Sequence, residues 1–158
     1  MNQVQFDGSN ITPSKIVCVG RNYVAHAEEL GNAVPEEPVF FMKPNSAISE
    51  TIISDRGLHY EGELCFLIMD QQIAAVGFGL DLTDRTLQAK LKAESLPWER
   101  AKAFRGAALF SEFCPWIEPS DSLRLRLRID GSIKQAGGVT QMLHKPEALV
   151  DEVESVFG

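Results

Sequence analysis

Glu61 and Glu63 stand one residue apart in Tyr60-Glu61-Gly62-Glu63-Leu64, and Asp81 follows in the run Val76-Gly-Phe-Gly-Leu-Asp-Leu-Thr. Side chains alternate between the two faces of a strand, so the glutamates point the same way, roughly 6.5 to 7 Å apart along the backbone. Leu64 to Ile68 continue as an apolar strand, which sets the pair at the edge of a core. Like charges repel there, and dehydrating them is costly unless a cation compensates. Asp81, between Leu80 and Leu82, adds a third carboxylate of a kind seldom left unpaired among apolar residues. Three oxygen ligands with no Cys or His suit Mg²⁺ or Mn²⁺, with Ca²⁺ also open, better than Zn²⁺ or copper. The competing reading is a solvated polar strand face, which needs no metal.

His26 and Glu29 form a second constellation, spaced i, i+3 on an expected helix and therefore on one face. A carboxylate that orients and charges the imidazole makes His26 a candidate general base near neutral pH. A plain surface pair has the same spacing. Close before them, Gly20 allows backbone to approach a ligand, Arg21 offers a planar fork for a carboxylate, and Asn22 and Tyr23 lie one turn from the pair. Arg85 and Gln88 fall on one helical face leaving the Asp81 strand. Lys43 in Phe-Met-Lys-Pro and Lys102 in Arg-Ala-Lys-Ala-Phe read from spacing alone as solvated lysines, and His59 and His144 have no partner at metal-ligand spacing.

The elements that must position these groups follow from pattern. Lys15–Gly20 reads as a short strand, and Arg21–Leu30 as a helix that Asn22 could cap and Gly31 stops. Val39–Met42 is a buried strand. Ile52-Ile53 could start another before the Asp55-Arg-Gly turn. Strands over about 60–69 and 73–82 are joined by a tight turn at Asp70-Gln-Gln. Thr83-Asp84 resembles a helix start, with Arg85–Ala93 helical behind it. Leu123 to Ile129 alternates strictly, three arginines on one face and four aliphatics on the other, and Asp130-Gly131 turns it into an antiparallel return over Ser132–Gln135. Pro146 to Phe157 reads as a helix begun by proline, with Leu149, Val150, Val153 and Val156 on its apolar face.

The chain has 158 residues, 44% of them hydrophobic, enough for one domain with its own core. With 22 acidic against 15 basic residues the net charge is −7, which opposes nucleic acid and anionic membrane as partners. Cys18, Cys65 and Cys114 are odd in number, far apart and set in apolar runs, so they read as buried free thiols of a reducing compartment. The N-terminus lacks a charged start followed by an apolar stretch, and no run of 18 apolar residues occurs. A soluble cytoplasmic protein is the expectation.

Taken in order, Gly20-Arg-Asn-Tyr-Val-Ala-His26-Ala-Glu-Glu29, Phe41-Met-Lys43-Pro44, Tyr60-Glu61-Gly-Glu63-Leu64, Leu80-Asp81 through Arg85 to Gln88, Arg100-Ala-Lys102-Ala-Phe104, and Asp130-Gly131 through Gln135 to Met142 resemble the fumarylacetoacetate hydrolase family, in particular its short members acting on acylpyruvates or oxaloacetate. The resemblance covers nearly the whole chain. It implies an α+β fold, a mixed β-sandwich roll with short flanking helices, as a single domain over 1–158 that assembles as a homodimer. It further implies Mg²⁺ or Mn²⁺ on Glu61, Glu63 and Asp81, a His26/Glu29 dyad with Lys102 in the catalytic set, and substrate contacts from Arg21, Tyr23, Lys43, Arg85 and Gln88. The implied reaction is hydrolysis of a carbon–carbon bond in 2,4-dioxo acids through a pyruvate enolate. Oxaloacetate decarboxylation or a related isomerisation or hydration at the same site is the alternative, and a truncated, non-catalytic binder of a 2-oxo acid or partner chain is a third. The chain departs from the family's pattern at Arg105 and at Phe113-Cys-Pro115-Trp116. It also stops before the C-terminal Gly-Asp and Thr-Gly-Thr-Pro-x-Gly segment, so the closing strands and a substrate-binding threonine are expected to be missing.

Overall fold

The computed structural model describes residues 1–23, 36–52, 57–116 and 120–158. Strands dominate, and short helices flank them, the α+β arrangement expected. In chain order the strands are β1 (Val4–Phe6), β2 (Ser9–Ile11), β3 (Ile16–Gly20), β4 (Val39–Lys43), β5 (His59–Met69), β6 (Gln72–Thr83), β7 (Ala108–Phe110), β8 (Cys114–Pro115), β9 (Arg124–Ile129) and β10 (Ser132–Gly138). The helices are α1 (Arg85–Ala93), α2 (Glu99–Lys102) and α3 (Pro146–Phe157). Antiparallel β1–β2, β3–β4 and β9–β10 ribbons surround a sheet in which β6 is central, paired to β5 on one side and to β7 and β8 on the other.

The long β5–β6 hairpin is the frame of the molecule. Asp70 and Gln71 form its two-residue turn with φ of 49° and 63°. Positive φ at both central residues matches the right-handed twist of paired strands. Asp7-Gly8 and Asp130-Gly131 turn β1–β2 and β9–β10 in the same way. The register that results sets Glu61 directly across from Asp81, and Glu63 across from Gly79. Because the side-chain period is two, Glu61, Glu63, Asp81 and Thr83 all share one face.

Beneath the hairpin, Val4, Ile48, Leu67, Ala75 and Phe113 form one core cluster, and Ala47, Ala107 and Ala108 a second. Ile16 of β3 and Phe110 of β7 pack against both. The second cluster is small-residue packing that lets the 107–108 backbone approach closely: Leu82 donates to the Ala107 carbonyl at 3.0 Å and Ser49 to that of Ala108 at 2.9 Å. Leu125 is buried while Arg124, Arg126 and Arg128 are exposed, as the alternation predicts.

Several expectations are corrected. Ile52 is exposed and belongs to no strand. The Asn22 amide donates to the His144 carbonyl at 2.9 Å and its oxygen accepts from the His144 N–H at 2.8 Å, tying this segment to the one before α3; the 21–30 helix it was expected to cap lies mostly outside the described residues. Val156 is 55% exposed, and the end of α3 packs instead through Phe157, edge-on to Phe40 with ring centroids 5.7 Å apart. Cys114 is exposed, not buried; all three cysteines are free.

Candidate active site

The carboxylates of the hairpin face three cations. Lys43, at the end of β4 and 1% exposed, places Nζ 2.8 Å from Asp81 Oδ1 and donates to the main-chain carbonyl of Lys102. Lys102, at the end of α2 and 5% exposed, donates from Nζ to Glu61 Oε2 and Asp81 Oδ2, both at 2.6 Å, and to Thr83 Oγ1 at 2.7 Å. Its ammonium also lies 4.9 Å from the centre of the Phe41 ring. Arg85 pairs with Glu61 Oε1 and donates to Gln88 Oε1 at 2.8 Å.

Each element has a local reason to deliver its side chain. α1 starts where Asp84 accepts from the Leu87 N–H at 2.9 Å, a side-chain cap that satisfies one of the free donors of the first turn. Arg85 and Gln88 then share the inward face. α2 is held against the hairpin end by Asp84 N–H donating to the Ala101 carbonyl at 3.1 Å. Lys43 follows from β4 pairing with β3, in which Ile16 lies opposite it.

Electrostatics distinguish the two glutamates. Burial acts to raise the Glu61 carboxyl, but Lys102 and then Arg85 outweigh it and hold it at about 2. Burial, followed by the charges of Asp81 and Glu61, pushes Glu63 up to about 8. Burial acts to lower the Lys102 ammonium, yet Asp81 and Glu61 carry it above its ordinary value, so it stands as a cation and hydrogen-bond donor and not as a base.

The expected residues therefore divide. Glu61, Glu63, Asp81, Arg85, Gln88 and Lys102 come together at one end of the hairpin. Lys43 is buried beside them, an internal strut between Asp81 and the α2 backbone. Tyr23 is partly buried, its hydroxyl has no hydrogen-bond partner among the described residues, and burial and then Glu63 push it up to about 12. Arg21 adopts a left-handed φ of 57°, unusual for a side chain of its size. His26 and Glu29 lie outside the described residues. Thr83 was not singled out by the sequence, though it is fully buried and its hydroxyl donates to Glu61 Oε2 at 3.2 Å. The strand alternation that pairs Glu61 with Glu63 also aligns Thr83 with Asp81.

As it stands, this arrangement is not a coordination sphere: among the described residues no three His, Cys, Asp or Glu side chains are placed to hold a metal ion. Lys102 occupies the space between Glu61 and Asp81. The donor set nevertheless fits a hard divalent cation. It offers three carboxylates on one face, and among the described residues no cation pairs with Glu63, while Asp81 Oδ1 has the Lys43 ammonium at 2.8 Å but accepts no aligned hydrogen bond.

The fumarylacetoacetate (FAA) hydrolase C-terminal family matches residues 15–158. An oxaloacetate tautomerase of Escherichia coli (strain K12) is 39% identical, the alignment covering 91% of this chain and 75% of that protein. A mitochondrial oxaloacetate decarboxylase of Dictyostelium discoideum is 35% identical, over 92% of this chain and 76% of that one. Among solved structures, a fumarylpyruvate hydrolase from Pseudomonas aeruginosa in complex with Mn²⁺ and pyruvate superposes with a TM-score of 0.82 at 28% identity, covering 98% of this chain and 78% of that chain.

Proposed function

From the premise that the chain belongs to the fumarylacetoacetate hydrolase family, we propose that its site binds oxaloacetate or a close 2-oxo dicarboxylate and promotes enolisation, leading to tautomerisation or decarboxylation. The observation that carries this reading is the charge balance of the cluster. Among the described residues Lys43, Arg85 and Lys102 pair with Glu61 and Asp81, while Glu63 has no cationic partner and burial holds its proton, so once Glu63 gives up that proton three cations stand against three carboxylates. A divalent ion entering such a cluster brings two positive charges that a dianionic substrate offsets. The relatives that act on oxaloacetate favour this reading over hydrolysis of acylpyruvates.

Glu61, Glu63 and Asp81 are the residues that would hold Mg²⁺ or Mn²⁺, which would supply a Lewis acid beside the 2-oxo group. Arg85, once it exchanges Glu61 for substrate, offers a planar fork to a carboxylate, and Gln88 orients that fork. Lys102 is a charged donor suited to the oxygen on which negative charge develops. The Tyr23 hydroxyl, buried without a partner among the described residues, is a second donor for the substrate. In tautomerisation the enol oxygen loses its proton and C3 gains one. In decarboxylation the C3–C4 bond breaks, CO₂ leaves, and C3 of the pyruvate enolate takes the proton. His26, oriented by Glu29, is the group proposed to move that proton.

The test follows enol oxaloacetate by its ultraviolet absorbance and pyruvate formation in parallel, with acetylpyruvate as the competing substrate. Mg²⁺- or Mn²⁺-dependent loss of enol or gain of pyruvate, abolished in Glu63→Ala, is expected. Faster turnover of acetylpyruvate, or turnover of oxaloacetate unchanged by chelator, overturns the reading.

A further inference from the structure

Gly62 separates the two glutamates of β5, and both of its main-chain polar groups are held from outside the sheet. The Gln135 carboxamide accepts from the Gly62 N–H at 2.8 Å and donates to the Gly62 carbonyl at 2.7 Å. β5 is the edge strand of its sheet, with β6 on its other side, so these groups would otherwise lie open. The N–H belongs to the rigid peptide plane between Glu61 and Gly62, and the carbonyl to the plane between Gly62 and Glu63. One side chain thus fixes both planes linking the carboxylate-bearing residues.

β10 is built to present that side chain. Its register against β9 shifts between Ile133 and Gln135, a bulge of the sort that re-aims a residue. The close approach needs glycine on the other side: a Cβ on Gly62 would lie 3.3 Å from Gln135 Oε1 and 3.1 Å from the Phe78 ring. A carboxamide presents acceptor and donor side by side, whereas an ionised carboxylate only accepts and Asn is one methylene shorter. The hydrogen bonds of Gln135 go to Gly62 and to neither carboxylate, so whatever it does to them passes through the backbone.

We propose that Gln135 is a positioning residue that fixes the separation and direction of the Glu61 and Glu63 carboxylates and thereby sets the protein's affinity for a divalent cation. This rests on reading the carboxylate cluster as the cation site. Groups that orient metal ligands typically affect affinity by about 10- to 100-fold when removed.

The experiment compares metal-free wild type with Gln135→Met, which keeps the length of the side chain and loses both hydrogen bonds. Mn²⁺ binding is read from the electron paramagnetic resonance of the free ion, and the Gly62 amide from hydrogen exchange. Val4→Ala, which thins the distant core cluster, controls for general loosening. The expected result is Mn²⁺ affinity about 10- to 100-fold weaker and faster Gly62 exchange in Gln135→Met, with wild-type affinity in Val4→Ala. Unchanged Mn²⁺ affinity in Gln135→Met, in a protein whose binding is abolished by Glu63→Gln, overturns the inference and leaves the site reading standing. Equal weakening in Val4→Ala overturns it too, and a wild type that binds no Mn²⁺ removes the site reading along with it.

Discussion

Lys43 shows how little of a side chain's role is carried by its type. Its neighbours in sequence are an aromatic residue, a methionine and a proline, a setting in which a lysine at a strand end ordinarily reaches water. Here β3 and β4 turn it inward, and it ends between the Asp81 carboxylate and the Lys102 carbonyl. Without Lys43, Asp81 keeps Lys102 but one of its buried carboxylate oxygens loses its cation, which costs about 1–3 kcal/mol, still more than loss of an exposed pair. Lys43→Met is therefore expected to lower stability by about that amount in urea unfolding of the metal-free protein. A divalent cation that compensates Asp81 should restore part of the loss. A cost below about 1 kcal/mol, the range of surface pairs, would show that Lys43 is not the strut described.

At the scale of elements, the hairpin's value lies in how tightly β6 is enclosed. Gly79 sits opposite Glu63, and a Cβ there would come within 2.5 Å of Cys65 Sγ and 3.1 Å of the Leu109 carbonyl. Gly79→Ala is expected to destabilise by about 1–3 kcal/mol, as overpacking does, and Cys65→Ala in the same chain to return part of that. Thermal unfolding of the single and double variants checks it, and an additive double variant rules out the Cys65 clash as the cause. Much of this architecture was legible: alternation marked β5, β6 and β9, the capping residue marked α1, and Asp130-Gly131 marked its turn. The site was legible where neighbours are close in sequence, as in Glu61 and Glu63. It was not legible where a partner arrives from elsewhere in the chain. Nothing local to Asn22 points to His144, and nothing local to Gln135 points to Gly62, because both contacts depend on how separate ribbons dock. The paired lysines likewise need the tertiary fold, since β4 and α2 deliver them to one aspartate from opposite directions along the chain.

Over the whole molecule, the groups packed where β3 faces the hairpin make stability depend on pH in a predictable direction. Burial, then the charge of Asp81, raises the Cys18 thiol from 9.0 to about 12, and burial, then Glu63, raises the Tyr23 phenol from 10.0 to about 12. Each group is neutral when protonated and holds its proton more firmly in the folded chain than in the unfolded one. Its contribution is whole below the unfolded value and is lost as pH climbs through the folded value. The thermal midpoint is thus expected to decline between about pH 9 and pH 12, the interval these two groups span. Cys18→Ala removes one of them without adding a charge, so its midpoint should fall less steeply over that interval, whatever its value at neutral pH. Scanning calorimetry of both proteins across the interval decides the matter. Parallel slopes would mean that the thiol ionises as readily folded as unfolded, and would overturn the direction assigned to it from burial and the Asp81 charge.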